Sequence, residues 1–304
     1  MTSIPTGRTT EGVMDRQGLQ TWYLLVEDAL PAADRLPLVV CHGGPGLTHD
    51  YLLRVARLSG AGRPCVFYDQ FGNGRSGRRP GAPAEFWTVE LFVRELESLI
   101  DHLGLADGFH LLGHSWGGML ALELAVRRPS GLRSVVVADA FASSALYLEE
   151  VAGLVAGLPA EARTAIERHE AAGTTDSAEY QKAIRVFYGR HVCRARPVPD
   201  EVMSTLAALA KDSTVYETMA GPSEFTMTGV LRDWDITDRL HQVEVPVLLV
   251  TGRHDEVTPR AAEPLWRRLP NVKWEIFEDS SHMPHVEEHD RFVALVDEFL
   301  RAAD

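Results

Sequence analysis

Phe109-His110-Leu111-Leu112-Gly113-His114-Ser115-Trp116-Gly117-Gly118-Met119-Leu120-Ala121-Leu122 is the stretch on which the reading of this chain turns. Phe109 to Leu112 reads as a short buried strand, and an apolar helix runs from about Trp116 until it stops before Pro129. Between them lies G-x-S-x-G. A serine at a strand-to-helix turn of this kind is held out from the sheet, and glycines flank it because side chains there would collide with neighbouring backbone. The helix N-terminus behind Ser115 favours developing negative charge. A hydroxyl is a weak nucleophile until a base takes its proton, so the motif demands a base and a group to orient it.

Two later segments meet that demand. Asp255, in Thr251-Gly252-Arg253-His254-Asp255-Glu256, follows a strand-like run from Pro246 to Thr251. His282, in Ser280-Ser281-His282-Met283-Pro284, follows another from Val272 to Phe277. Active-site groups of open parallel sheets gather beyond the carboxyl ends of strands, and Ser…Asp…His is the order in which an α/β-hydrolase supplies its triad. Ser115, Asp255 and His282 are therefore the expected catalytic residues. His282 would serve as base then acid, and Asp255 would fix its tautomer. Glu256 is a rival for the acid. His282, His285 and His289 form a rival metal cluster that no further Cys, Asp or Glu completes at ligand spacing; no metal is expected.

Outward from this centre, apolar runs alternate with amphipathic segments. Strands are read at Gln20 to Val26, Leu38 to Cys41, Cys65 to Tyr68 and Ser134 to Ala138. Thr88 caps a helix with Phe92, Leu96, Leu99, Ile100 and Leu103 at helical spacing, closed by Gly104. Asp290 is read as the cap of a last helix carrying Phe292, Leu295, Val296, Phe299 and Leu300 on one face. Alternating strands and helices imply an α/β fold with a mostly parallel twisted sheet flanked by helices. The alternation breaks between about Phe141 and Leu240, where the chain is rich in Ala and Glu. The expected division is a core of residues 1–140 and 241–304 with a helical cap inserted at 141–240.

His42-Gly43-Gly44-Pro45-Gly46 follows the Leu38 strand. Acyl transfer needs two fixed N–H donors for its oxyanion, and Gly44 and Trp116 are the expected pair. Gly72-Asn73-Gly74-Arg75-Ser76-Gly77 imitates a dinucleotide fingerprint. It runs into Arg78-Arg79-Pro80 rather than a helix, so a tight structural loop is the better reading.

The composition excludes other classes. With 45% hydrophobic residues in 304 the chain can bury an ordinary core, and 30 basic against 43 acidic side chains give a net charge of −13. Without a basic stripe, nucleic-acid binding is not expected. No run approaches the roughly 20 apolar residues of a membrane span. Three cysteines imply no disulfide framework, and residues 1 to 10 contain no apolar signal-peptide core; a cytoplasmic location is expected.

With these segments in view, the chain resembles the proline iminopeptidase family of α/β-hydrolases. The resemblance rests on His42 to Gly46, Asp69-Gln70-Phe71-Gly72-Asn73-Gly74-Arg75-Ser76, and Gly113 to Gly118. It extends to Gly221-Pro222-Ser223-Glu224-Phe225-Thr226, Asp233-Trp234-Asp235-Ile236-Thr237 and Asp255 to Pro259. The later segments are most similar to the tricorn-interacting aminopeptidase and amino-acid amidase branch. The resemblance implies a serine hydrolase that releases an N-terminal residue, proline or another apolar one, from a small peptide or aminoacyl amide. It implies no cofactor, and it leaves open any protein partner. It also implies that Glu224, from the cap, and Glu256 bind the substrate's free α-amino group, and that Gly44 and Trp116 hold the oxyanion. Phe141, Tyr188 and Phe225 are candidates for lining the first-residue pocket. An esterase or amidase indifferent to a free amine is the alternative.

Overall fold

The computed structural model describes residues 7–28 and 34–304. Its single sheet contains β1 (Arg8–Arg16), β2 (Leu19–Glu27), β3 (Leu38–Cys41), β4 (Cys65–Tyr68), β5 (Phe109–His114), β6 (Leu132–Ala138), β7 (Val247–Gly252) and β8 (Val272–Phe277). They lie in the order β1-β2-β4-β3-β5-β6-β7-β8. β1 and β2 form an antiparallel hairpin, β2 runs antiparallel to β4, and the remaining pairings are parallel. β3, β5 and β7 are buried from end to end. Helices cover both faces of a parallel sheet, so such strands read as continuous apolar runs. Val39 and Cys41 enter the core on one face, and Leu38 and Val40 that on the other.

The sequence reading misses β1. Most of its side chains are exposed, as suits a polar edge strand. The signal lies in Gln17-Gly18, both with positive φ (56° and 82°), which turns the hairpin.

The helices are α1 (Val89–His102), α2 (Trp116–Ala125), α3 (Ser144–Ala156), α4 (Ala160–Ala172), α5 (Ala178–His191), α6 (Asp200–Lys211), α7 (Thr214–Met219), α8 (Pro259–Arg268), α9 (Pro284–Glu287) and α10 (His289–Arg301). Thr88 caps α1 as expected, its Oγ1 accepting from Leu91 N–H at 3.1 Å. Asp290 does not cap the last helix. α10 begins at His289, two residues earlier than an Asp290 cap would set, behind Glu288, and Asp290 falls in its first turn, where a carboxylate still complements the helix dipole. α3 to α7 all lie between β6 and β7, followed by a largely non-helical return before Thr237.

The amino-terminal edge of the sheet, far from the carboxyl ends where a site is expected, is closed by a charged clasp. Arg63 is wholly buried and donates to both oxygens of Asp304 at 2.8 Å and to Leu36 O at 2.6 Å. Asp304 also accepts from Leu36 N–H at 3.1 Å and lies 3.2 Å from His110 Nε2. Removing one partner strands a buried charge, at a cost of about 3–5 kcal/mol. Asp304→Ala is therefore expected to lower the thermal midpoint by about 5–8 °C without changing the reaction. Calorimetry checks this, and an unchanged midpoint contradicts it.

Candidate active site

Three loops at the carboxyl ends of β3, β5 and β8 are tied together through one histidine. Tyr51 Oη accepts Gly43 N–H at 2.8 Å and donates to His114 Nδ1 at 2.8 Å, while His114 Nε2–H donates to the carbonyl of His282 at 2.6 Å. Burial, then His282 and His285, hold His114 well below the ordinary histidine pKa. Its ring is neutral, and the two hydrogen bonds set its tautomer. Gln70 braces the same region. Its N–H donates to His42 Nε2, its side chain donates to His42 O, and it accepts from Trp116 Nε1–H at 2.8 Å.

Ser115 stands between β5 and α2 with φ 55° and ψ −123°, a strained backbone for a non-glycine residue. The turn is as tight as its motif implies. A Cβ on Gly113 would lie 2.1 Å from Gly117 O, and one on Gly117 2.1 Å from Cys41 O. Trp116 opens α2, so its N–H belongs to the first helical turn, whose amides have no intrahelical partner. Gly43 N–H is committed to Tyr51, and the neighbouring Gly44 lines the same pocket as Ser115.

Asp255 and His282 meet at the ends of β7 and β8. Asp255 Oδ1 lies 2.7 Å from His282 Nδ1 and accepts Val257 N–H at 2.9 Å. Glu256, the rival acid, approaches the other ring nitrogen, Nε2, at 3.7 Å. Ser115 and His282 line one pocket, but no hydrogen bond joins Ser115 Oγ to the ring. Such bonds are often long before substrate binds. Burial alone would depress the His282 pKa. Asp255, Glu256 and Glu224 outweigh it and raise the ring to about 9. His285 and His289 do not join a metal cluster with His282. His285 is buried among aromatic rings and pushed down to about 3 by burial and His282. His289 Nδ1 turns to the His285 carbonyl.

The space above Ser115 has two lobes that share Gly44, Ser115, Glu224 and Glu256. One lobe is walled by Phe141, Tyr147, Met227, Leu231 and Val257. The other is walled by Leu47, Tyr188, Val192, Leu206, Leu209 and Met283. Glu256 is buried, and half-buried Glu224 faces it from the segment after α7. Burial raises both carboxyls, and Glu224 pushes Glu256 well above the usual carboxylate range. The hydroxyls of Tyr216 and Tyr147 favour the ionised form of Glu224. Two mutually repelling carboxyls that share a low-dielectric wall are suited to a cation.

Of the aromatic candidates, Phe141 lines the first of these lobes and Tyr188 the second. Phe225 does neither; its ring packs edge-on against Phe187, centroids 4.8 Å apart. Sequence reasoning missed Tyr51, His114, Asp139, Tyr147 and Tyr216. His114 was visible inside the elbow motif, whereas the tyrosines carried no local signal. The decoy loop is structural. Asp69 accepts from His49 N–H, His49 Nδ1 and Arg75 N–H, and so holds residues 69–76 as a turn.

Comparison with known proteins agrees with this geometry. A sequence profile for the alpha/beta hydrolase fold matches residues 37–289. The crystal structure of VinJ superposes with a TM-score of 0.94 at 45% identity, covering 97% of this chain and 99% of that one. A proline iminopeptidase from Mycobacterium smegmatis gives 0.91 at 42% identity, covering 97% and 98%. A proline iminopeptidase of Thermoplasma volcanium is 35% identical over 96% of this chain and 97% of its own length. An elbow serine, a two-lobed covered pocket and this breadth of similarity place the chain in the proline iminopeptidase family of α/β-hydrolases.

Proposed function

We propose that this protein is a serine aminopeptidase that releases an N-terminal residue, proline or another apolar one, from a small peptide or aminoacyl amide. The observation that carries the reading is the carboxyl pair of buried Glu256 and half-buried Glu224, which shares both lobes with Ser115. An ammonium bound between them relieves their repulsion and makes charge-assisted hydrogen bonds. That fixes the scissile carbonyl over Ser115.

In this mechanism Ser115 Oγ attacks the carbonyl carbon while His282 Nε2 takes the hydroxyl proton. Asp255 stabilises the resulting imidazolium through Nδ1. The carbonyl oxygen becomes an oxyanion held by the N–H groups of Gly44 and Trp116. Collapse breaks the C–N bond, and His282 returns the proton to the leaving amine. Water then repeats the sequence on the acyl-Ser115 ester and frees the amino acid. The helices between β6 and β7, within residues 141–240, act as the cap that excludes bulk water and contributes Glu224. Its hold on the core includes Glu256 N–H donating to His191 O at 3.1 Å.

Among the described residues no helix is long and apolar enough to cross a membrane. Three buried free cysteines support a cytoplasmic setting. The test compares an aminoacyl anilide with its N-acetylated form. The free amine is expected to be hydrolysed at least about 100-fold faster, since an uncompensated buried carboxylate pair costs several kcal/mol. Equal turnover would establish the alternative, an esterase or amidase with no free-amine requirement.

A further inference from the structure

Behind the Asp255–His282 pair lies a second carboxyl that the mechanism above does not use. Asp139, just past the end of β6, is fully buried and has φ 54°. Aspartate tolerates this region better than most residues. The backbone turn aims its side chain beneath the loop that carries Asp255. Asp139 N–H donates to Val250 O at 2.8 Å, and its Oδ1 accepts Gly252 N–H at 3.0 Å. Its other oxygen, Oδ2, has no conventional donor, and neither has Oδ2 of Asp255, which is equally buried. One carboxyl oxygen from each residue and a ring nitrogen of His282 lie within 4.8 Å of one another.

Two buried carboxylates this close do not both ionise. A single proton between them satisfies both orphaned oxygens at once. The partners decide which residue keeps it. Asp255 Oδ1 already accepts from His282 Nδ1 and Val257 N–H. Asp139 Oδ1 accepts from Gly252 N–H alone. The anion is best placed where donors and the imidazole converge, on Asp255, so the proton belongs to Asp139. The other titratable groups facing Asp139 do not compete. His114 Nε2 is 3.9 Å from Oδ2 but is committed to the His282 carbonyl, and Glu287 of α9 adds further negative charge. Burial and the Asp255 charge both push the Asp139 carboxyl well above the ordinary range.

We propose that Asp139 is a positioning residue, a protonated carboxyl that donates a hydrogen bond to Asp255 Oδ2 and so locks the acid in the rotamer that grips His282. The proposal rests on the serine-hydrolase reading of Ser115, Asp255 and His282. It is independent of amine recognition.

The experiment measures two quantities in wild type, Asp139→Asn and Asp139→Ala: the rate of Ser115 labelling by a fluorophosphonate, which carries no amine, and the low-field NMR signal of the His282 Nδ1 proton. An asparagine amide can donate to Asp255 and accept from Gly252 but can never be an anion. Asp139→Asn is expected to label within about 3-fold of wild type and keep the low-field signal. Asp139→Ala is expected to label about 10- to 100-fold more slowly, the scale of loss when a catalytic group is misplaced by up to about 1 Å, with the signal broadened or moved. Folded Asp139→Asn that labels more than about 30-fold slowly overturns the proposal, because the residue would then be needed as an anion. Asp139→Ala with wild-type rate and signal also overturns it. So does slower wild-type labelling after EDTA treatment, which would assign the cluster to a cation. Absence of wild-type labelling at Ser115 removes the serine-hydrolase reading itself, and this proposal with it.

Discussion

Ser115→Ala is expected to lower kcat on an aminoacyl anilide by a factor on the order of 10⁶, the scale seen when the nucleophile of a catalytic triad is removed. The loss is large because no neighbouring group can replace the hydroxyl. Besides apolar side chains, His114, His282 and the two glutamates, the pocket at Ser115 is lined by Thr205, whose Oγ1 is bonded to Thr48, and by Tyr188 and Tyr216, whose phenols burial holds well above their usual pKa and so keeps poor nucleophiles. The glutamates are committed in this reading to the ammonium. The substitution keeps a Cβ on the strained backbone at φ 55° and leaves the tight contacts of Gly113 and Gly117 untouched. The thermal midpoint should therefore stay within about 2 °C, as for a substitution outside the packed core. Single-turnover kinetics with active-site titration checks the outcome. Turnover above about one part in 10³ of wild type, once contaminating enzyme is excluded, would assign the nucleophile elsewhere.

Glu256→Gln is expected to divide substrates by charge. For a substrate with a free amine, kcat/KM should fall about 10²- to 10³-fold, the cost of truncating one member of a buried charge pair. For a neutral ester of the same acyl group the change runs the other way. His282 is held at about 9 partly by Glu256, which lies 3.7 Å from Nε2. The neutral ring is the base, so in the free wild-type protein ester hydrolysis climbs with pH toward that value. Removing the carboxylate lowers the His282 pKa and moves the acid limb of kcat/KM to lower pH, since that limb reports the free enzyme. At pH 7 the variant should hydrolyse the ester at least as fast as wild type. An equal fall on both substrates, or an acid limb that does not move, rules out the amine clamp.

The residues that sequence reading located share a property: their signal is local. A strand, a glycine-bracketed turn and a helix specify the Ser115 elbow within about a dozen positions, because each glycine answers a collision with nearby backbone. Thr88 and Leu91 make their cap across three residues. The polar edge strand β1 escaped because it buries little and therefore lacks an apolar run. The cap of α10 moved by two residues against local preference, which favours Asp290: Glu288 takes the position without a side-chain cap bond because its carboxylate is engaged by Ser280 and by Asp279 N–H. Whether Phe225 lines the pocket or the core was open for a similar reason: its packing partner Phe187 lies in α5, and no spacing rule connects them.

Read alone, the amino-acid sequence determined the α/β class, the parallel sheet and the order in which serine, acid and histidine arrive. These follow from periodicity and from turn chemistry, which act over a few residues. Only the tertiary structure decided what surrounds those groups. It put Glu256 against the Nε2 edge of His282 and set Glu224 opposite it. It routed one hydrogen-bonded chain from Gly43 through Tyr51 and His114 to His282, and left Asp139 and Asp255 each with a buried oxygen that has no donor. These are electrostatic and desolvation effects between residues brought together from distant parts of the chain. Their size depends on burial and on ångström-scale distances, and folding alone sets both.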